Sequence, residues 1–130
     1  KSALYYNNKK LDLSFENTIL RLTEELKKEG FGILTEIVMH ATFKKKLNVY
    51  LRPYTILGAC NPPFAYKAIQ TESHLGLLLP CHIVVQDTGD GSMEVAAIDP
   101  VVSMSRVDNP VLEPVAQEVR AKLQRVIDSL

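Results

Sequence analysis

A β-hairpin signal in the second half of the chain constrains the fold more than any other feature. Residues 83–85 (Ile-Val-Val) are a β-branched run, and residues 93–98 follow as an alternating partner. Residues 87–92 between them carry the Asp and Gly residues that hairpin turns require. Because strands joined by so short a turn pair antiparallel, the signal predicts an antiparallel sheet.

The register of this hairpin assigns side chains to the two faces of the sheet. If the turn is symmetric about Asp90, Cys81 lies opposite Asp99, and consecutive residues point to opposite faces. The more apolar face, which should meet the helices, carries Cys81, Ile83, Val85, Val95, Ala97 and Asp99. The other face carries His82, Val84, Gln86, Glu94, Ala96 and Ile98. We therefore expect His82 on the surface or at a dimer face, not beside Cys81.

Three segments carry the signals of helices. Ser14 stands where an N-cap belongs, and Gly30 can end the first helix in the left-handed conformation. Apolar residues at helical spacing lie between them at Phe15, Ile19, Leu22 and Leu26. Two Asn-Pro pairs, at 61–62 and 109–110, begin the other helices, because Asn caps and Pro tolerates the first helical position.

The remaining segments complete an α+β domain. Further strands are predicted at residues 3–12, 31–39 and 54–60. In the second of these, one side should carry Ile33, Ile37 and Met39. Residues 41–47 read as a short helical turn. The order strand, helix, strand, strand, helix, strand, strand, helix predicts one domain over residues 1–130, an antiparallel sheet with helices on one face. The other face must then be solvated or covered by a partner.

Charge and length argue against several classes of partner. Fifteen basic residues balance fifteen acidic ones, so no global field steers the chain to nucleic acid or an anionic membrane. No apolar stretch approaches the roughly 20 residues of a membrane-spanning helix, and the first residues lack the apolar core of a signal peptide. Two cysteines are too few for a secreted disulfide framework, which predicts a cytoplasmic location.

Two cysteines at predicted strand ends are the candidate functional residues. Cys60 directly precedes the helix start at Asn61, where the partial positive charge lowers a thiol pKa. Cys81 opens the next strand, opposite Asp99. These four residues form a candidate ligand, redox or metal site. The alternative is that both thiols pack as small apolar side chains, and a carboxylate at Asp99 would raise a thiol pKa.

Other polar residues give weaker indications. His40 and His74 fall in predicted loops and should be exposed. The basic cluster at residues 44–46, with Arg52, is expected to be a solvated face. The sequence has no nucleophile elbow, zinc-binding HExxH, phosphate-binding loop or dinucleotide fingerprint. No catalytic residue, cofactor or metal is therefore predicted, and an enzyme is not favoured.

Several short segments resemble the family called domain of unknown function 302. They are Phe15-Glu-Asn-Thr, Gly30-Phe31-Gly32, Lys46-Leu47, the run from Pro53-Tyr54 to Cys60-Asn61-Pro62, Leu78-Leu79-Pro80-Cys81 and Ile98-Asp99-Pro100. The resemblance implies a fold similar to the TATA-box-binding-protein-like class, a curved antiparallel sheet with two main helices, and often a homodimer. It also makes Lys46 a candidate anion contact. Tyr54 on the neighbouring strand is either part of the same pocket or part of the core. It implies no established activity.

Two functional hypotheses follow. The first is a non-enzymatic binding or interaction domain, a homodimer whose open sheet face or rim pocket holds a small ligand or a partner. The second is a thiol-dependent redox or metal-handling protein that uses Cys60 and Cys81, with Asp99 close by. Nucleic-acid binding, which the fold analogy suggests, is rejected because a shared fold does not carry function and the net charge is zero.

Overall fold

The hairpin and helix signals of the sequence are realised in a five-stranded antiparallel sheet with helices on one side. The computed structural model describes residues 5–130. Its elements in chain order are β1 (Tyr6–Leu11), α1 (Phe15–Lys28), β2 (Gly32–Val38), α2 (Met39–Leu47), β3 (Tyr54–Cys60), α3 (Pro62–Thr71), a 3₁₀ helix (Ser73–Leu78), β4 (Cys81–Asp87), β5 (Met93–Ile98), α4 (Pro100–Ser103) and α5 (Leu112–Ser129). The α+β class is thus confirmed, and the sheet is not closed.

The strands lie in the order β1-β5-β4-β3-β2, each antiparallel to its neighbour. The predicted hairpin register is confirmed, because Ile83 pairs with Ala97 and Val85 with Val95. That ladder stops at the Ile83–Ala97 pair, so the predicted Cys81–Asp99 pair lies just beyond it. Strands β1 and β2 form the two edges of the sheet.

The core lies between one face of the sheet and the helices α1 and α5. Strands contribute alternate residues and the helices contribute residues three or four apart, as amphipathic elements do. The buried residues of this core include Leu22, Leu26, Leu57, Ile83, Val85, Val95, Val119, Leu123, Val126 and Ile127. The predicted helix stripes therefore face the sheet.

The predicted ends of α1 are present. The Ser14 side chain accepts a hydrogen bond from the Asn17 amide at 3.1 Å, which satisfies one of the free donors of the first turn. Gly30 has φ of 86°, where a side chain would be strained. The last helix begins at Leu112, two residues after the predicted Asn-Pro start, and Asn109 caps the approach by accepting from the Val111 amide at 3.1 Å.

Strand β2 differs from its predicted pattern. Ile33 pairs with the buried Ala59, but a bulge follows, and Ile37 pairs with Ile56 on the opposite face. Met39 belongs to α2. The prediction that these three share one side is therefore wrong, because an extra residue in the strand reverses the alternation after it.

Three helical segments extend beyond the sequence prediction. The helical turn expected at residues 41–47 is a nine-residue helix, Met39–Leu47. The 3₁₀ helix after α3 and the short helix α4 were not predicted. The predicted first strand began at residue 3; residues 3 and 4 lie outside the described residues, and β1 starts at Tyr6.

Candidate functional site

Cys60, Asn61 and Cys81 come together at the rim of the sheet, as the sequence predicted. They line one small cavity between the ends of β3 and β4, α3 and α5. Its volume is about 30 Å³, room for a water molecule or two but not for a substrate. Apolar side chains supply the rest of the lining. This rim cavity therefore cannot serve as a ligand pocket.

Both thiols are free and neither is activated. Cys81 is buried, and that burial, followed by the nearby Cys60, raises its pKa to about 11. Burial also raises the pKa of Cys60. The expected lowering of the Cys60 pKa by the start of α3 is therefore not found, because desolvation disfavours the thiolate.

The amide of Asn61 is used for structure. Its Nδ2 donates to the Glu29 carbonyl oxygen at 3.0 Å, which joins the end of α1 to the start of α3. The side chain makes no capping hydrogen bond to α3 itself. Asn61 is 8% exposed, and one of its two N–H donors is used in this contact.

Asp99 is held in an ion pair of its own. Its carboxylate accepts from Arg120, at 2.7 Å to Nη2, and from the Val101 amide at 3.0 Å, which caps α4. Burial raises the pKa of Asp99, but the hydrogen bonds and charge of Arg120 outweigh it, so the pKa lies below its ordinary value. Asp99 does not line the rim cavity, and it acts as a structural ion pair.

No metal centre accompanies the thiols. Among residues 5–130, no three His, Cys, Asp or Glu side chains are grouped so that they could hold a metal ion. The redox or metal-handling alternative is therefore not supported.

Among residues 5–130, no helix has both the length and the apolar character needed to cross a bilayer.

The three histidines have different surroundings. His82 is exposed on the open face, where alternation placed it. His74 is exposed, as expected. His40 is half-buried in α2, and the loop prediction for it is wrong: its Nδ1 accepts from the Tyr54 amide at 2.9 Å, and its ring meets Phe15 edge-on.

The candidate anion contact at Lys46 is not part of a pocket. Lys46 lies exposed in the last turn of α2. Tyr54 instead lies on the open face, with the Arg52 guanidinium 5.7 Å from its ring centre. Tyr54 lines a concave site on this face to which Lys46 does not contribute, so the two residues do not share that site.

A concave site larger than the rim cavity lies on the face of the sheet away from the helices. We call it the open-face groove, and its volume is about 310 Å³, at the lower end of the range for small-molecule sites. Its lining consists of Tyr5, Tyr6, Tyr54, His82, Val84, Gln86, Glu94, Ala96 and Ile98. It therefore has aromatic walls and a few polar groups.

A hydrogen-bonded chain of side chains borders one end of this groove. Glu94 accepts from Asn8 at 2.7 Å and from Gln86 at 2.9 Å. Gln86 in turn accepts from Arg52 Nε at 2.9 Å. The chain fixes the orientation of the Glu94 carboxylate, which retains free lone pairs for a further donor.

The sequence predicted the open sheet face as a possible ligand site, but it identified only part of the groove on that face. The hairpin alternation put Val84, Ala96 and Glu94 on the face away from the helices, which the structure bears out. Tyr6 and Tyr54 join them only through the pairing of β1 with β5 and of β3 with β4. The sequence did contain an indication of this site, because a sheet face expected to be solvated or covered by a partner carries apolar residues.

The comparisons with known proteins agree with the fold. The model of the family described as "Domain of unknown function DUF302" matches residues 7–130. The crystal structure of an uncharacterised conserved DUF302 protein from Bacillus stearothermophilus superimposes with a TM-score of 0.89 at 27% identity, over 97% of this chain and 98% of that one. A comparison with curated protein sequences finds no match.

Proposed function

Because this chain belongs to the DUF302 family, whose description assigns no activity, we propose its function from the geometry of the open face. We infer a non-enzymatic binding domain, homodimeric, that holds a small cationic molecule with an apolar or planar body in the open-face groove. The proposal needs no catalytic residue and no cofactor.

A row of apolar side chains across four neighbouring strands carries this proposal. The row consists of Ile37, Ile56, Val84 and Ala96, each paired with the next in the ladders. The solvated face of an antiparallel sheet is normally polar, since alternation gives one apolar and one polar side. A continuous apolar row in water is unfavourable, and it supports a molecule bound against this face.

The charge and shape of the groove define the class of ligand. Glu94 is the carboxylate in its lining, and no Lys or Arg lines it. Tyr5 and Tyr6 supply aromatic faces, which attract cations as well as planar rings, while the Tyr54 ring already lies against the Arg52 guanidinium. A positively charged group against Glu94 and an apolar body along Val84 would use both features.

Two planar dyes of opposite charge test this proposal. We expect the cationic dye thioflavin T to bind and become fluorescent, and the anionic dye anilinonaphthalene sulfonate to bind more weakly. Val84→Arg should abolish thioflavin T binding, because it places bulk and positive charge in the groove. Glu94→Gln should weaken it by about tenfold, the scale of one lost charge-assisted contact.

The matched control is Val111→Arg, the same change at an exposed residue before α5. It should leave dye binding unchanged. Equal thioflavin T binding by wild type and Val84→Arg would contradict the groove as the site. Stronger binding of the anionic dye would contradict the cationic class of ligand.

The homodimer is proposed on edge strand β2, beside the groove. Leu34 and Ile37 of edge strand β2 are 66% and 44% exposed, and neither lines the groove. A second copy that covers them by a two-fold axis would bury an exposed apolar edge and leave the groove accessible.

We further propose a cytoplasmic location. Support comes from the two cysteines, which are free in the structure. Free thiols suit a reducing compartment, where disulfides are rare.

A further inference from the structure

In one stretch of this chain, whose net charge is zero, all charged residues are Lys or Arg. Residues 37–71 contain no Asp or Glu, while they contain four Lys and one Arg (Lys44, Lys45, Lys46, Lys67 and Arg52). Lys44, Lys45, Lys46 and Arg52 come before β3, whereas Lys67 follows it in α3. The balance of fifteen basic and fifteen acidic residues therefore averages over an excess of positive charge between α2 and β3. Electrostatic attraction acts over about 10 Å at ordinary salt, so the local charge decides what this part of the surface attracts.

Exposed basic and apolar residues of this stretch lie together at the end of α2 and directly after it. Residues 44–50 are all exposed. Three of them are large apolar residues, with Leu47 at 64%, Val49 at 47% and Tyr50 at 86% exposure. We call residues 44–50 the basic-apolar tip. An exposed apolar group surrounded by positive charge indicates an interaction surface.

A purely structural role explains the lysines of the tip but not its apolar residues. Lysines in the last turn of α2 are favourable at the negative end of the helix dipole, and Lys44 Nζ donates to Asn48 Oδ1 at 3.0 Å in the C-cap. These effects do not require Leu47, Val49 and Tyr50 to project into water. A partner that is anionic outside and apolar beneath matches both halves.

We propose that the basic-apolar tip docks this protein on the surface of an anionic lipid bilayer. The lysines contact the lipid headgroups, and their long apolar stems follow the depth of the interface. Leu47 and Val49 enter the boundary of the acyl chains, and Tyr50 lies at headgroup level, which amphipathic rings favour. The protein rests on the membrane and does not cross it.

Lipid fits these residues better than nucleic acid. Single-stranded nucleic acid is held by aromatic platforms beside basic residues, and the tip offers Tyr50 alone as an aromatic. Leu47 and Val49 add nothing to base stacking, but the transfer of both side chains out of water is favourable. The expectation from net charge that no membrane is contacted is revised, since it did not consider where the charges lie.

Co-sedimentation of the full chain with vesicles tests the docking. We expect binding to vesicles that mix phosphatidylcholine with phosphatidylserine, weakened by salt, and no binding to phosphatidylcholine alone. Lys45→Gln/Lys46→Gln should weaken binding by about tenfold or more, because each basic residue near an anionic surface adds to the attraction. The matched control is Lys27→Gln/Lys28→Gln, exposed lysines in the last turn of α1, which should bind as wild type.

A second variant tests the apolar half and guards against misfolding. Tyr50→Ser at a fully exposed residue should keep the circular dichroism spectrum of wild type and lower vesicle binding. Equal loss in both lysine pairs would overturn the tip as the site. Binding of wild type to a single-stranded oligonucleotide but not to mixed vesicles would also overturn the proposal. Val84→Arg should bind vesicles as wild type, so failure of the groove leaves this test intact.

Discussion

At the scale of single residues, one buried hydroxyl stands out. Among the buried side-chain polar atoms in residues 5–130, Oγ1 of Thr55 has no hydrogen-bond partner. Thr55 is 1% exposed on the helix side of β3 and pairs with Val85. A buried polar group without a partner costs its desolvation free energy.

We expect Thr55→Val to stabilise the protein. Valine has nearly the shape of threonine without the unpaired hydroxyl, so the free energy of unfolding should rise by about 1 kcal/mol. The matched control is Thr18→Val, since Thr18 is also buried but its hydroxyl donates to the Ser14 carbonyl at 2.8 Å. That variant should lose about 1 kcal/mol. Urea unfolding measures both, and a loss of stability in Thr55→Val would contradict the prediction.

For single residues, the sequence predicted positions but not the surroundings of the side chains. The meeting of Cys60 and Cys81 was predictable, because strand ends and register place them at one rim. The surroundings that decide their chemistry were not, since burial raises both thiol pKa values. His40 was missed for the same reason, as its partner Tyr54 belongs to another element.

At the scale of elements, Gly58 is the glycine with the least room for a side chain. A Cβ placed on Gly58 would lie 2.6 Å from Cγ of Pro80 and would also contact the hydroxyl of Thr35. Pro80 and Thr35 therefore cover the glycine, and a side chain there must push apart β2, β3 and the approach to β4.

Gly58→Ala should destabilise the protein by about 1–3 kcal/mol, the usual cost of overpacking. Gly32→Ala is the matched control, because Gly32 lies in the neighbouring strand and an added Cβ meets no atom within 4 Å. We expect its stability to change by less than about 0.5 kcal/mol, as at ordinary exposed sites. Thermal unfolding of the two variants compares them directly, and equal melting temperatures would refute the steric argument.

Element prediction succeeded where local chemistry is decisive. The Asp-Gly turn and the two Asn-Pro pairs specified a hairpin and two helix starts with no help from the rest of the chain. The bulge in β2 has no such local signal, and it moved Ile37 to the opposite face. This error matters for function, because Ile37 extends the apolar row of the open face.

At the scale of the whole molecule, the proposed homodimer gives a prediction about mass. Sedimentation equilibrium should show twice the chain mass for wild type. Ile37→Arg should give monomers, because it buries an unpaired charge in the proposed contact. Ile69→Arg is the matched control, since Ile69 in α3 is also 44% exposed but lies away from β2. A monomeric wild type, or dissociation by both variants alike, would contradict the dimer surface.

Because of the order of the strands, the sheet can be completed only after β5 has been synthesised. Tyr6 of β1 pairs with Ile98 of β5, so β1 waits for a partner that follows far along the chain. Strands β2 to β5 are adjacent in both sequence and space and can associate as they emerge. Long-range pairing of this kind slows folding, because closing the chain over such a span costs entropy. Until β5 has been synthesised, β1 therefore has no partner in the sheet, and its unpaired edge is open to pairing with other chains.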